Sequence, residues 1–590
     1  MKHLIKKSAY AKHLFFTILI TLLLCGCNSQ TPTSQQRFDS FLNACFKEYV
    51  SENSVTLHFK LSNPASYGLS NQLPAAYGDF SYEYQKANCQ RSKTLLKQLD
   101  KFDYSQLSKE QQLTWKIFRN KLEQSAASED YILYQSLLGA NGLPSQIPVT
   151  LSEYYFHDEN DVKTYLSLMN QIPELFKQLL SFEDQRRKAD IICPDYVINN
   201  TINQIDQFLS NAREDNLLTE TFREKIQNVS ELSADQKTTY IHNNQALFEQ
   251  IILPAYQSLR TSLKAYIGSG TPKERVCQYK NGKNYYRLLI ASNIGTDRTP
   301  EEYIAALEKQ LKESASNIAS LTKNNPNLYS SYLSAQPSLS DANEIFDELK
   351  TYALLDFPEL SDVKCTLKEV PDSLSGTSSC AFYLVPPIDS TDSNIIYINN
   401  NRVDNREIFS TMAHEGYPGH LYQTNYYQKE KNPHPIRHLL RSEGYDEGWG
   451  TYAQLYSYQY LTFKNTDKET AKALRQLYRD NDILSLSLSA LSDLYVNYKD
   501  YDQKALTEYL KPYGVKEENV SAIYQYVTEN PASYLSYCLG YYELMDIQNS
   551  MKEQLGENFD IKEFHQLILD SGSCPFSILR EQVNQFVKKS

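Results

Sequence analysis

Arg406-Glu407-Ile408-Phe409-Ser410-Thr411-Met412-Ala413-His414-Glu415-Gly416-Tyr417-Pro418-Gly419-His420 reads as a helix that begins near Asn405 and carries a His-Glu pair with a second His downstream. That is the donor layout of a zinc hydrolase. Two imidazoles hold the ion, and the carboxylate beside the first takes a proton from water. The usual spacing is i, i+4, which sets both rings on one helix face. Here it is i, i+6, which on an unbroken helix leaves the second ring about 120° off. Pro418-Gly419 answers the mismatch. Proline removes an N–H and clashes with the preceding turn, and glycine accepts unusual dihedrals. A break at this pair is therefore expected to return His420 to the ion.

A third ligand is needed from another helix. Downstream, Ser442-Glu443-Gly444-Tyr445-Asp446-Glu447-Gly448-Trp449-Gly450-Thr451-Tyr452 offers three acids. Glu447, at the start of an apolar-aromatic helical stretch, is the first choice and Glu443 the second. One oxygen and two imidazoles suit Zn2+ with a position left for water. The other histidines (His58, His157, His242, His434, His438, His565) show no ligand spacing and read as structural or exposed. Upstream, Ala381-Phe382-Tyr383-Leu384-Val385 and Asn394-Ile395-Ile396-Tyr397-Ile398 are rich in β-branched and aromatic residues and read as two strands. The second, through Ile396, Tyr397 and Ile398, is the candidate to bind a substrate main chain by edge pairing.

Elsewhere helical periodicity dominates. Thr299-Pro300-Glu301-Glu302 is a capping box with proline at the first helical position, and Ile304, Leu307 and Leu311 follow on one face. Ser108 with Gln111 starts another helix, burying Leu113, Ile117, Trp115 and Phe118. Residues 162–182 and 216–267 also read as long helices. The best domain boundary lies near 335–350, giving a helical N-terminal region at 27–345 and a catalytic region at 346–590.

The N-terminus gives the compartment. Lys2, Lys6, Lys7 and Lys12 precede an apolar run from Leu14 to Leu24, too short for a comfortable membrane span. It ends Leu24-Cys25-Gly26-Cys27, similar to a bacterial lipobox, which implies cleavage of a signal peptide at 1–26 and lipidation of Cys27. The mature protein is then expected outside the cytoplasm, anchored to the membrane by lipid. Removal of four lysines and no acids takes the net charge from −12 to −16. Such an acidic chain lacks the basic stripe that binding nucleic acid requires. Eight cysteines remain after Cys25 and Cys27. In an exported chain an even number predicts disulfides, paired in sequence order as 45–89, 193–277, 365–380 and 538–574, with free buried thiols as the alternative.

His414-Glu415-Gly416-Tyr417-Pro418-Gly419-His420, followed by Glu447-Gly448-Trp449 and Tyr452, closely resembles the bacterial DUF885 proteins, a zincin-like group related to metallopeptidases. Asn281-Gly282-Lys283 with Tyr285-Tyr286 resembles the family's upstream segment. Tyr383 with Pro386-Pro387, Tyr397 and Asn399 resembles its strand region. Tyr537, Gly540, Phe564-His565, Gly572, Pro575 and Leu579-Arg580 resemble its C-terminal landmarks. The resemblance implies a mainly α, zincin-like (gluzincin-type) fold with a small β-sheet next to the active-site helix. It departs at Ser489, where the family tends to carry Arg, at Asn497, where it tends to carry His, and at Gln454, where it tends to carry an acid. Asn497 is still able to hydrogen-bond a tetrahedral intermediate. The expectation is a peptidase with metal ligands His414, His420 and Glu447, general base Glu415 and oxyanion donor Tyr537. Oligopeptides are the expected substrates. A lipid-anchored peptide-binding protein without turnover and an amidase of cell-wall peptides are the alternatives.

Overall fold

Ser108 and Gln111 exchange hydrogen bonds as a capping box and start α1 (Lys109–Ala127). Ile117 and Phe118 are buried there, while Leu113 and Trp115 are only half-buried. Asp158 caps α2 (Glu159–Lys188), and the Thr299/Glu302 capping box starts α3 (Pro300–Asn324), whose Ile304, Leu307 and Leu311 face the core. Within 216–267 the helix is not continuous: Leu217–Gln227 ends at a turn before Ala234–Leu247 begins. The computed structural model describes residues 32–210, 216–370, 379–390, 394–402 and 406–589. The signal segment 1–26, Cys27 and Asn405 lie outside the described residues.

The C-terminal half supplies α4 (Ile408–Glu415), α5 (His420–Tyr426), α6 (Glu443–Ser457), α7 (Lys468–Asn497), α8 (Leu535–Leu555) and α9 (Ile561–Ser571). The protein is thus mainly helical with one small sheet. No helix among the described residues is long and apolar enough to cross a membrane.

The cores do not divide at 335–350. One apolar core runs from Phe38 through Leu122 and resumes from Val276 to Val583, crossing that boundary. A second holds Leu138 to Leu263, with Val55, Phe59, Tyr77 and Phe80 packed against it from the N-terminal part. The N-terminal helices therefore share the main core with the C-terminal half, and the middle of the chain forms the second core.

The sheet has β1 (Cys365–Glu369), β2 (Ala381–Leu384) and β3 (Asn394–Ile398) in the order β1-β3-β2. β3 pairs parallel with β1 and antiparallel with β2, and all five of its residues are buried. This corrects the edge-pairing assignment: Ile396, Tyr397 and Ile398 lie on the middle strand, whose main chain is bonded on both sides. The unread β1 is what encloses them, and β2 is the edge next to α4.

The eight described cysteines are all free, so the expected disulfides are absent. Cys45 sits in the main core and Cys89 in a small cluster with Ile132 and Phe182. Cys193 sits in the second core, while the Cys277 thiol meets the Val496 carbonyl. The first two expected pairs thus divide between separate packing regions. Burial pushes the thiols of Cys45, Cys193, Cys538 and Cys574 up to about 12. They behave as small apolar side chains.

Candidate metal centre

α4 packs Ile408, Phe409, Met412 and Ala413 into the core and ends on His414 and Glu415. The chain then breaks, as the Pro-Gly pair predicts, and α5 starts at His420. The Tyr417–Pro418 bond is cis. The return is tight: a Cβ on Gly419 would lie 1.8 Å from the His414 carbonyl oxygen. The Trp449 indole N–H holds the loop by donating to the Pro418 carbonyl at 2.9 Å. In consequence the two imidazoles face each other with ring centroids 4.7 Å apart and planes at 87°.

α6 delivers the carboxylate. Its Gly444 and Gly448 meet Gly540 of α8 main chain to main chain, with a Cβ on Gly540 falling 2.1 Å from the Gly444 carbonyl oxygen. A side chain at Gly448 or Gly540 would hold the two helices apart, and one at Gly444 would strike the main chain of Asn293 and Ile294 instead. On another side of α6, a Cβ on Gly450 would lie 2.7 Å from His414 Nε2 and 3.0 Å from His420 Cε1. The absence of that atom makes the space in which the rings meet Glu447.

Glu447 Oε2 lies 3.4 Å from His420 Nε2 and 3.6 Å from His414 Nε2. It is buried yet has no hydrogen-bond partner. Atoms bound at about 2.0–2.1 Å to one tetrahedral ion stand about 3.3 Å apart. The three donor atoms lie within 4.8 Å of one another, so the residues present fit a zinc ion, and Glu447 rather than Glu443 completes the set. Burial works against the charge on Glu447, but the neighbouring imidazoles outweigh it and hold the carboxyl well below its usual range. Burial likewise opposes a charge on His420, and Glu447, Glu415 and Asp446 overcome it. The carboxylates of Glu447, Glu415 and Asp446 thus surround the imidazoles with negative charge, and the C-terminal end of α4 adds to it.

Glu415 is oriented by the sheet edge: its Oε2 accepts the Tyr383 N–H at 2.8 Å. Cys380 bonds Asn399 of the β3 side, so alternation turns the Tyr383 amide outward, away from β3. Tyr537, on α8, stacks beside His414 at a centroid distance of 6.0 Å. Burial first, then Glu447 and Glu415, raise its phenol well above the ordinary range, which keeps it protonated as a donor.

Asn497 does not join this group. It is fully buried, donates to Asp493 Oδ1 at 2.9 Å and to the Val527 carbonyl at 2.7 Å, and accepts from the Val276 N–H. Its amide is committed to tying α7 to neighbouring segments, which corrects its assignment to the catalytic set. His565 is structural, as its spacing predicts: it bonds the Tyr452 hydroxyl and the Asp356 carbonyl. Gln454 donates to Asp482. The roles of the Tyr383 amide and of Gly450 were not read from the sequence. An amide carries no residue-specific signal, but two glycines flanking Trp449 beside a predicted ligand are a cue for close approach.

A cavity of about 1000 Å3 lies against another face of α6, and none of the three ligands lines it. The site follows from donor geometry and not from cavity size.

A model of the family described as "Bacterial protein of unknown function (DUF885)" matches residues 65–583. The chain belongs to the DUF885 family. Two solved structures have the same fold. One, titled a "putative lipoprotein" from Colwellia psychrerythraea, is 17% identical with a TM-score of 0.81, and the match covers 95% of this chain and all of that one. The other, a "putative lipoprotein of unknown function" from Shewanella oneidensis, is 15% identical with a TM-score of 0.66, covering 92% and 99%. A comparison with curated proteins returns no match.

Proposed function

We propose that this DUF885 protein is a zinc-dependent peptidase of zincin-like design, acting on oligopeptides outside the cytoplasm while held to the membrane by lipid on Cys27. The observation that carries the reading is the convergence of His414, His420 and Glu447 from three helices, with Glu415 beside them. A zinc ion there would supply Lewis acidity to a peptide carbonyl and make water a stronger acid.

The chain's own residues have distinct work. Glu415 has one oxygen fixed by the Tyr383 amide. Its other oxygen makes no hydrogen bond among the described residues and is free to take a proton from water and return it to the leaving amine. Tyr537 keeps its phenolic proton and donates it as a hydrogen bond to negative charge developing on the carbonyl oxygen. β2 offers a main-chain edge along the same side. The description of both solved relatives as lipoproteins supports the placement at the envelope.

The test uses the full chain, solubilised in detergent. Metal analysis is expected to give one zinc per chain, and Glu415→Gln is expected to keep that zinc while lowering cleavage of a mixed peptide library by about 10²–10⁴-fold. Absence of zinc, or cleavage unaffected by Glu415→Gln, overturns the reading. Peptide binding without cleavage would identify a binding protein instead, and activity confined to muropeptides an amidase.

A further inference from the structure

The second feature beside the metal cluster is a cavity of about 290 Å3 at the end of β2. No metal-cluster residue lines it, but its wall comes from the same elements as the site. Gln423 follows His420 by one turn of α5, Asp446 directly precedes Glu447, and Val385 lies two residues beyond Tyr383. Pro386 ends the strand there, so a peptide pairing along β2 runs out of main-chain partners at this point. The Ile388 N–H donates to the Lys60 carbonyl at 2.9 Å, and Asp389 accepts from the amides of Ser62 and Asn63. Those bonds bring Lys60 to the cavity.

The charge of this cavity is unlike that of the chain. Lys60, Arg437 and Arg441 line it against one carboxylate, Asp446. Arg441 gives its Nε to Asp446 at 2.8 Å, and its terminal nitrogens bond nothing among the described residues. Lys60 has no ion-pair partner among them. Burial first, then Arg441, lower the Lys60 ammonium from its ordinary range. His438, on the same wall, is pushed down to about 4 by burial and then by Arg437 and Arg441, so it brings no charge of its own. Two lining side chains more than nine-tenths buried also carry polar atoms without partners: Gln423 Nε2 and Arg437 Nε, both donors. A protein of net charge −12 thus keeps an excess of cations and two idle buried donors around one small cavity. Buried donors without partners are costly, and an anion would satisfy them while pairing with the lining cations.

We propose that this cavity is the subsite that receives a substrate carboxylate, either the free C-terminus of a short peptide or an acidic side chain close to it. The inference rests on the peptidase reading only for the identity of the ligand as a peptide. Lys60 and the free fork of Arg441 grip the carboxylate, Gln423 contributes an N–H, and the chain of the substrate lies back along β2 toward Glu415. The volume, at the small end of ligand pockets, limits what lies beyond the scissile bond to a short end.

Binding separates this proposal from the peptidase reading. Fluorescent tripeptides with a C-terminal acid, a C-terminal amide, or a C-terminal amide with aspartate as last residue are titrated into the full-chain Glu415→Gln protein. A bound carboxylate is expected to tighten binding by about 10- to 100-fold over the plain amide, the size of a charge-assisted hydrogen bond. Lys60→Met, which keeps the length and apolar body of the side chain, is expected to shrink that ratio to below about 10-fold. Preference for the free acid over both amides assigns the C-terminus, and equal gain from the aspartyl amide assigns the side chain. Equal binding of all three, or an acid preference untouched by Lys60→Met in a folded protein, overturns the subsite. If the wild type binds the acid peptide selectively but never cleaves it, the peptidase reading fails and the subsite stands.

Discussion

At Gly450 one missing carbon decides whether two rings and a carboxylate can meet. Gly450→Ala places a methyl 2.7 Å from His414 Nε2, so the imidazole must move while the helix itself gains propensity. Zinc affinity, followed by competition with a chromogenic chelator, is expected to fall about 10- to 100-fold, as when a ligand's supporting shell is disturbed. The urea midpoint is expected to stay near that of the parent. A second residue-scale prediction concerns Asp482, which accepts from the Tyr458 hydroxyl at 2.7 Å and from Gln454. Burial raises its carboxyl to about 6, against an ordinary value of about 3.9. The folded state then holds more protons than the unfolded chain between about pH 4 and pH 6, so this group lowers stability as pH rises through that window. Asp482→Asn removes the titration. Relative to wild type, its unfolding free energy is expected to gain roughly 2–3 kcal/mol from pH 4 to pH 7, read from urea curves across that range.

Between elements, the decisive contact is α6 against α8. Gly540→Ala forces a carbon to 2.1 Å from the Gly444 carbonyl oxygen, against main chain that cannot turn aside. The helices must separate, at a cost of about 1–3 kcal/mol, read as a lower urea midpoint. Tyr537, three residues earlier on α8, moves with them, and peptide cleavage is expected to drop as well. The elements differ in how openly the sequence announced them. The capping boxes at Ser108 and Thr299, and the break at Pro418-Gly419, were legible because each is local chemistry within a few residues. The order of the sheet was not. β1 reads Cys-Thr-Leu-Lys-Glu and is largely exposed, so it carries no apolar alternation, and its parallel pairing with β3 joins residues far apart in sequence. Missing β1 turned a central strand into an apparent edge. Asn497 misled for a related reason. Its position in a resembling pattern suggested chemistry, whereas its hydrogen bonds serve the junction of α7 with its neighbours.

For the whole molecule, the division of cores recasts the cysteines. The His-Glu-His stretch and Glu447 carried the His414, His420 and Glu447 cluster in the sequence alone, since donor types and spacing are residue-level signals. Which thiols meet is instead a property of the complete fold, and here they are distributed among separate packing regions. The eight cysteines beyond Cys27 are expected to titrate with Ellman's reagent in guanidinium without any reductant. The native protein is expected to react slowly, because its buried thiols are held protonated. A count of zero in guanidinium would establish four bridges.

The bond from the Tyr383 amide to Glu415 has a consequence for how this protein can drift. The Glu415 carboxylate is steadied by main chain, so the identity of the side chain at position 383 is invisible to that interaction. Nineteen amino acids supply the same N–H, and proline alone withholds it. What restricts replacement there is the far end of the residue: the buried Tyr383 hydroxyl donates to Asn394 Oδ1 at 2.6 Å and accepts from the Asn425 amide, so a lineage that drops the phenol loses those bonds while the carboxylate keeps its aim.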